Sequence, residues 1–193
     1  MGMELEWKYA ATTEDLQAIR ACFGGFDAIA MATTYYDTPG GDLSARRVTL
    51  RSRQENHRTV CTVKTPNANG SRGEWEVTGM TIEEAIPALC KLGCPEELLS
   101  LTAQGVIPVC GARFDRLYRL EQLPGCAVEI ALDLGRLLGG GRELPFGELE
   151  VEYKWGDPDI ARAYAASLAE KFGLKEEPRS KYHRARLLAK GEL

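Results

Sequence analysis

The sequence predicts a mainly β protein of the α+β class, built on a closed antiparallel barrel, and three observations support this. Segments in which charged and apolar residues alternate recur along the chain, from residues 4–9 to residues 148–153. Turn-forming clusters such as 38–41 separate them. Each charged row is backed by an apolar row, so every strand has one polar and one apolar face. A barrel with a charged lumen and peripheral helices outside satisfies both faces.

Length and composition limit the classes of protein to consider. The 193 residues suit a single domain spanning 1–193. The formal net charge of −4 argues against binding to a nucleic-acid duplex, since such proteins use excess Lys and Arg to displace counterions from phosphates. No apolar run approaches the roughly 18 residues of a membrane helix, and the first residues lack a signal-peptide pattern. We therefore expect a cytoplasmic protein with no membrane partner.

The first half of the chain predicts a meander of antiparallel strands with short helices. Thr12, followed by Leu16 and Ile19 at helical spacing, is typical of a capped helix. Thr81, followed by two glutamates, predicts a helix over 81–92, and a short one is predicted over 95–101. The predicted strands cover 3–9, 33–37, 46–53, 58–64 and 72–78, with turn clusters at 38–41, 54–57 and 66–70.

The second half repeats this organisation. An Asp-Pro pair at 157–158 begins a helix whose Ile160, Tyr164 and Leu168 form one apolar stripe, and a last helix is predicted over 180–188. The predicted strands cover 106–114, 116–121, 126–134 and 146–153, with a Leu-Pro-Gly turn and a glycine-rich segment between them. These eight or nine strands are sufficient for one barrel.

The number and spacing of the cysteines and histidines give little support to a catalytic thiol, a zinc site or a catalytic histidine. Of six cysteines, only Cys90 and Cys94 lie close together in the sequence, without a second pair or a histidine at ligand spacing. Free thiols are therefore expected. The two histidines, His57 and His183, lie among charged neighbours. We expect acid–base chemistry to use groups other than histidine.

The charged rows are the candidate site. The residues predicted to point inward are Glu4, Glu6, Lys8, Arg51, Arg53, Lys64, Arg72, Glu74, Glu76, Arg113, Glu129, Asp133, Glu148, Glu150 and Glu152. Burying such charges costs several kcal/mol each unless they pair or bind a ligand. Carboxylates at positions i and i+2 of one strand, facing others on a neighbour, suit Mg²⁺ or Mn²⁺, while Arg and Lys suit phosphate oxygens. The predicted ligand is a metal-bound polyphosphate; the alternative is a set of ion pairs on an exposed sheet face.

The order of these motifs along the chain is more specific than any one of them. They are Glu4-Leu5-Glu6-Trp7-Lys8, Tyr35-Tyr36-Asp37-Thr38-Pro39, Leu50-Arg51-Ser52-Arg53, Thr62-Val63-Lys64, Glu74-Trp75-Glu76, Arg113, the 129–133 strand, Glu148-Leu149-Glu150-Val151-Glu152 and Ser180-Lys181-Tyr182. This ordered set spans almost the whole chain. It resembles the CYTH, or triphosphate tunnel metalloenzyme, family, whose entry signature is Glu-x-Glu-x-Lys.

The resemblance implies an eight-stranded antiparallel tunnel that binds a triphosphate with Mg²⁺ or Mn²⁺ and cleaves a phosphoanhydride bond. The residues that it implies as metal ligands are Glu4, Glu6, Glu148, Glu150 and Glu152. Those implied to bind the substrate are Lys8, Arg51, Arg53, Lys64, Arg72, Glu74, Arg113, Asp133 and Lys181. Glu6, Glu76 and Lys8 are implied to take part in catalysis, and Arg184 is expected at the surface.

Several substrates and functions are compatible with this resemblance. Hydrolysis of inorganic tripolyphosphate demands least of the site, because cyclisation of ATP by a class IV adenylyl cyclase also requires a nucleoside pocket. Thiamine triphosphatase and RNA triphosphatase activities are the other enzymatic alternatives. A non-catalytic polyphosphate or nucleotide sensor is the alternative of another class, and a small-molecule carrier would have an apolar lumen. The expected partner is a triphosphate-containing small molecule, and both a monomer and a homodimer are compatible with the sequence.

Overall fold

The described residues form a curved antiparallel sheet with five helices on its outside and one at its concave face. The computed structural model describes residues 5–66 and 72–193, and Arg72 by its backbone alone. The strands in these ranges are β1 (Glu6–Ala10), β2 (Asp27–Asp37), β3 (Thr49–Glu55), β4 (Arg58–Pro66), β5 (Arg72–Thr78), β6 (Ile107–Leu123), β7 (Cys126–Gly139), β8 (Arg142–Gly156) and β9 (Lys175–Glu176). The helices are α1 (Thr13–Phe23), α2 (Asp42–Ala45), α3 (Ile82–Lys91), α4 (Glu97–Leu101), α5 (Pro158–Phe172) and α6 (Lys181–Lys190).

The mainly β, α+β prediction is confirmed, but closure of the sheet is not supported. Neighbouring strands follow the order β5-β4-β3-β2-β6-β7-β8-β1-β9. Part of the outer edge of β1 pairs with β9, where Tyr9 lies opposite Glu176 and Ala10 opposite Lys175. In the described part of the chain, no ladder joins β1 or β9 to β5. Over residues 5–66 and 72–193 the sheet is therefore open and nine-stranded, rather than a closed eight-stranded barrel.

The three longest strands differ from the predicted segments. The sequence predicts two strands separated at Asp115, whereas β6 runs without interruption from Ile107 to Leu123. Asp115 pairs with Ala30 on one side and with Leu134 on the other, so ladders on both sides carry the strand through this position. Likewise, β7 and β8 extend into the glycine-rich segment and meet at a tight turn after Gly139.

The outer face of the sheet packs against helices that begin where their sequence signals predict. Thr12 and Asp15 form a reciprocal capping box before α1, and Thr81 forms one with Glu84 before α3. α1 and α5 bury the apolar side of β1, β7 and β8, including Tyr9. α3 and α4 bury the outer side of β3 and β4, and Trp75 of β5 packs on the same cluster. The polar rows are left on the concave face.

The last helix, α6, lies at the concave face instead of the outer one. Its Ala185 and Leu188 pack with Phe114, Phe146 and other buried residues of β6, β7 and β8. A Cβ atom at Gly139 would lie 2.5 Å from the carbonyl oxygen of Ala185, so glycine at this position permits the close contact.

None of the helices in 5–66 and 72–193 combines the length and apolarity needed to span a membrane.

Candidate active site

The concave face of the sheet encloses a cavity of about 690 Å³. Strands β1 to β8 and the start of α6 all contribute side chains to it, because alternate residues of each strand face inward. The charged residues among its lining are Glu6, Lys8, Arg51, Arg53, Glu55, Lys64, Glu74, Glu76, Arg116, Glu129, Glu150, Glu152, Lys154 and Lys181. Carboxylates and cations thus share one polar cavity.

Most of the predicted site residues are brought together by the fold. The residues placed in the cavity wall as the sequence predicts are Glu6, Lys8, Arg51, Arg53, Lys64, Glu74, Glu76, Glu129, Glu150, Glu152 and Lys181. Asp133 and Glu148 point to the same side but are completely buried behind the lining. Glu4 and the side chain of Arg72 lie outside the described residues.

Arg113 is placed on the opposite face from the one predicted. It is exposed, and its cross-strand partner in β7, Arg136, is also exposed. Because β6 is continuous, its inward residues are Phe114, Arg116 and Tyr118. Arg116 therefore occupies the position in the cavity wall that the sequence assigns to Arg113.

The β3–β4 side of the cavity is rich in cations. The Arg51 guanidinium lies 3.7 Å from Glu74 and 3.8 Å from Glu76, and Lys64 lies 3.3 Å from Glu74. The Nε atom of Arg51 is buried and has no hydrogen-bond acceptor within the described part of the chain. Burial and the nearby charge of Arg51 lower the pKa of Arg53, although its pairing with Glu55 partly offsets this. This side of the cavity is suited to an anion.

The opposite wall and the interior behind it contain a group of six ionic residues that we name the buried charge cluster. Its members are Arg116, Asp133, Glu148, Glu150, Lys181 and Arg184. Arg116 donates two hydrogen bonds of 2.7 Å to the Asp133 carboxylate, and also contacts Glu150. The Lys181 Nζ atom lies 2.7 Å from both Asp133 and Glu150 and contacts Glu148, which Arg184 also contacts. The cluster contains equal numbers of positive and negative groups.

The pKa values in this cluster follow from competition between burial and pairing. Burial by itself raises the pKa of Glu150, but the charges of Lys181 and Arg116 outweigh it and hold the pKa well below its usual range. Burial lowers the pKa of Lys181, and Asp133 and Glu150 outweigh that effect and raise it. Arg116 behaves in the same way, with its pKa raised by Glu150 and Asp133. These groups are therefore ionised at neutral pH.

A second group of carboxylates crosses three neighbouring strands near the cavity. Glu6 of β1 pairs in register with Glu152 of β8, which pairs with Glu129 of β7. All three face the cavity, and we name them the carboxylate row. Lys154 lies 3.0 Å from Glu152 and 3.4 Å from Glu129, and Lys8 lies 3.5 Å from Glu6.

The two carboxylate groups differ in their fitness for a divalent metal. Asp133, Glu148 and Glu150 can bring one oxygen each within 4.8 Å of one another, the spacing of a metal site. However, each of them is already paired with buried cations, and Glu148 does not face the cavity. The carboxylate row also has lysine partners, but all three of its members present hard oxygen ligands to the cavity, as Mg²⁺ and Mn²⁺ prefer. Among the described residues, the buried trio has the spacing of a metal site, whereas the carboxylate row has the access to the cavity that a substrate-bound metal requires.

Three charged cavity residues are additional to the predicted site. Arg116 is not predicted because the sequence places a break between two strands at Asp115. Alternation continued from Phe114 across that position would have placed Arg116 inward. Glu55 follows Arg53 by two residues, so the period-two pattern contains its signal. Lys154 is the extra residue of a β-bulge in β8, where Tyr153 pairs with Val128 and Trp155 with Ala127. Lys154 also follows Glu152 by two residues, so the same alternation contains its signal, although no feature of the sequence marks the bulge.

Comparison with known proteins relates the chain to one family. A family model described as the CYTH domain matches residues 2–185. An inorganic triphosphatase of Haemophilus influenzae is 29% identical to the chain over 129 residues, which are 66% of this chain and 37% of that protein. The chain thus spans little more than a third of the length of this relative.

Solved structures show the same fold. A candidate adenylyl cyclase from Hippeastrum, described as having a dominant triphosphatase activity, is 19% identical, with a TM-score of 0.63 over 99% of this chain and 97% of that one. The PH1819 protein of Pyrococcus horikoshii is 24% identical, with a TM-score of 0.62 over 97% of this chain and 99% of that one. At these identities the similarity concerns the architecture.

Proposed function

The chain belongs to the CYTH domain family, and from this premise we propose that it hydrolyses a phosphoanhydride bond of a triphosphate with the aid of Mg²⁺ or Mn²⁺. The observation that carries the proposal is the cavity in which a cationic wall and the carboxylate row face the same space. A triphosphate is polyanionic and binds divalent metals, so it uses both surfaces at once. The name of the Haemophilus relative supports this substrate class.

We propose inorganic tripolyphosphate as the substrate. It needs only a charged site, and the charged lining of the cavity supplies one. Arg51, Arg53 and Lys64 on one side, with Arg116 and Lys181 on the other, would bind phosphate oxygens through charge-assisted hydrogen bonds. The buried Nε atom of Arg51 supports this assignment, because phosphate would supply its missing acceptor.

Hydrolysis requires positioning and charge neutralisation more than covalent chemistry from the protein. A metal ion held by Glu6, Glu129 and Glu152 would withdraw charge from the phosphate oxygens. Lys8, beside Glu6, would neutralise charge on the substrate. Thr62 donates a 2.8 Å hydrogen bond to Glu76, which fixes this carboxylate at the cavity wall. We assign Glu76 to orient the attacking water in line with the bond to be broken.

Substrate profiling tests the proposal directly. The protein is incubated with Mg²⁺ or Mn²⁺ and, in parallel, with tripolyphosphate, ATP and thiamine triphosphate, while phosphate, pyrophosphate and cyclic AMP are measured. We expect phosphate release from tripolyphosphate to be the fastest reaction and to stop on addition of EDTA. Absence of product from all three substrates would refute the enzymatic proposal and favour a non-catalytic sensor.

The two arginines of β6 offer a matched pair of variants. Arg116→Ala should reduce turnover of tripolyphosphate strongly, because this side chain faces the cavity. Arg113→Ala removes the same chemical group from the opposite, exposed face and should leave kcat/KM unchanged. Equal effects of the two substitutions would contradict the placement of the site in the cavity.

A second candidate substrate is an organic triphosphate. Ile29, Met31 and Tyr118 add apolar surface to the cavity lining, which would suit an organic group attached to the phosphates. Thiamine triphosphate hydrolysis or ATP cyclisation would then exceed tripolyphosphate hydrolysis in the same profiling experiment.

A further inference from the structure

Two buried residues outside the cavity lining are linked to a lysine that faces it. Glu148 of β8 is completely buried, and the side chain of Arg184 in α6 is 8% exposed. They contact each other, and neither lines the cavity. Glu148 also contacts the Nζ atom of Lys181, which does line the cavity. The pair thus lies directly behind a candidate phosphate-binding group.

The fold places this lysine through the start of α6. Ser180 caps the helix by accepting a 3.1 Å hydrogen bond from the backbone N–H of His183, and Lys181 is the first helical residue. Arg184 follows three residues later, so both side chains project from neighbouring positions on one helix face. The contact of Arg184 with Glu148 therefore joins α6 to β8 beside Lys181.

Aromatic rings confine the same two cations. The Lys181 ammonium lies 5.1 Å from the ring centre of Phe114 and 5.4 Å from that of Phe146. The Arg184 guanidinium lies 5.4 Å from the same Phe146 ring. Two aromatic rings and three carboxylates around the Lys181 ammonium leave it little freedom to move.

We propose that Glu148 and Arg184 are positioning residues, which hold the Lys181 ammonium at the cavity wall for contact with a phosphate, and that Glu148 is not a metal ligand. The role toward phosphate rests on the proposed function. The position of the ammonium does not, because it follows from the contacts within the protein. This assignment replaces the metal-binding role that the sequence predicts for Glu148.

The charge balance of the cluster determines the appropriate variant. Removing Glu148 or Arg184 alone would leave an uncompensated charge in the interior and could prevent folding. The double variant Glu148→Leu/Arg184→Met removes one negative and one positive group together. Asp133, Glu150, Arg116 and Lys181 then remain balanced, and Lys181 loses one of its three carboxylate contacts. The control is Arg136→Met/Glu143→Gln, which removes an exposed pair with a 2.7 Å contact.

Three measurements test the proposal on the full chain. We expect KM for tripolyphosphate to rise about tenfold, the loss typical of a weakened charge-assisted hydrogen bond, while kcat changes less. Mn²⁺ affinity, followed by electron paramagnetic resonance without substrate, should be unchanged. The ammonium protons of Lys181, observed by ¹⁵N NMR, should exchange with water faster than in the parent protein. The control variant should match the parent in all three.

Two results would overturn the proposal. Weaker Mn²⁺ binding by the double variant would show that Glu148 is a metal ligand. Unchanged KM and unchanged proton exchange, with only a lower melting temperature, would show that the pair is merely structural. If the parent protein hydrolyses none of the three triphosphates, the proposed function fails, and the NMR exchange experiment still decides whether the pair positions Lys181.

Discussion

Replacing Asp133 by asparagine removes one negative charge from the buried charge cluster while keeping the shape of the side chain. The Asp133 carboxylate is completely buried. It accepts two 2.7 Å hydrogen bonds from Arg116 and lies 2.7 Å from the Nζ atom of Lys181. The variant therefore leaves two buried cations with one carboxylate fewer between them.

The expected loss of stability follows from this geometry. Removing one partner of a buried ion pair typically costs about 3–5 kcal/mol. Arg116 and Lys181 both keep their contacts with Glu150, so we expect the lower end, about 3 kcal/mol. At about 2–4 °C per kcal/mol for a chain of this size, the melting temperature should fall by about 6–12 °C.

Urea and thermal unfolding, followed by tryptophan fluorescence, measure this loss. The matched control is Glu143→Gln, which breaks the Arg136–Glu143 contact of equal length, 2.7 Å, in an exposed pair. The control should cost about 0.5 kcal/mol or less, because water screens exposed pairs. A loss below about 1 kcal/mol in Asp133→Asn, or equal losses in the two variants, would refute the argument that burial gives this contact its strength.

The remaining predictions concern binding, pH and thiol reactivity. Arg51→Ala should raise KM for tripolyphosphate strongly, and an unchanged KM would place Arg51 outside the binding site. Lys181 and Arg116 hold the pKa of Glu150 below the ordinary 4.5. The ionised Glu150 therefore stabilises the folded state above pH 4.5, and this stabilisation is lost as the pH falls below that value. The melting temperature should therefore fall between about pH 5 and pH 3, and a flat profile there would contradict this. Burial raises the pKa of the Cys94 thiol to about 12, so Cys94 should react with a disulfide reagent far more slowly than exposed Cys22, and equal rates would count against its burial.

Period-two alternation accounts for much of what the sequence predicts correctly. In β1, Glu6 and Lys8 face the cavity, while Trp7 and Tyr9 pack against the outer helices. The same alternation places Arg51 and the other charges of β3, β4 and β5. It succeeds because the pleat of a strand sends successive side chains to opposite faces whatever the rest of the chain does.

The same rule fails where the phase of a strand is misjudged. The predicted interruption at Asp115 separates the alternation of residues before it from that of residues after it, so Arg113 is predicted to face inward in place of Arg116. A shift by an odd number of residues moves every side chain of a strand to the opposite face of the sheet. The uninterrupted strand is held on one side by its hairpin with β7 and on the other by the ladder to β2, which joins segments far apart in the chain. Local turn signals contain no information about the ladder to β2.

By itself, the sequence determined the α+β class, the positions of the capped helices and the face that most of the charged rows occupy, because these depend on interactions between residues close together in the chain. The tertiary structure alone decided which charges meet. Lys181 reaches Glu150 and Glu148 from more than 30 residues away through the docking of α6. That docking separates a fully buried Glu148 from Glu152 at the cavity, although both lie on the same face of one strand. Burial and charge pairing depend on what covers a face, which no local pattern specifies.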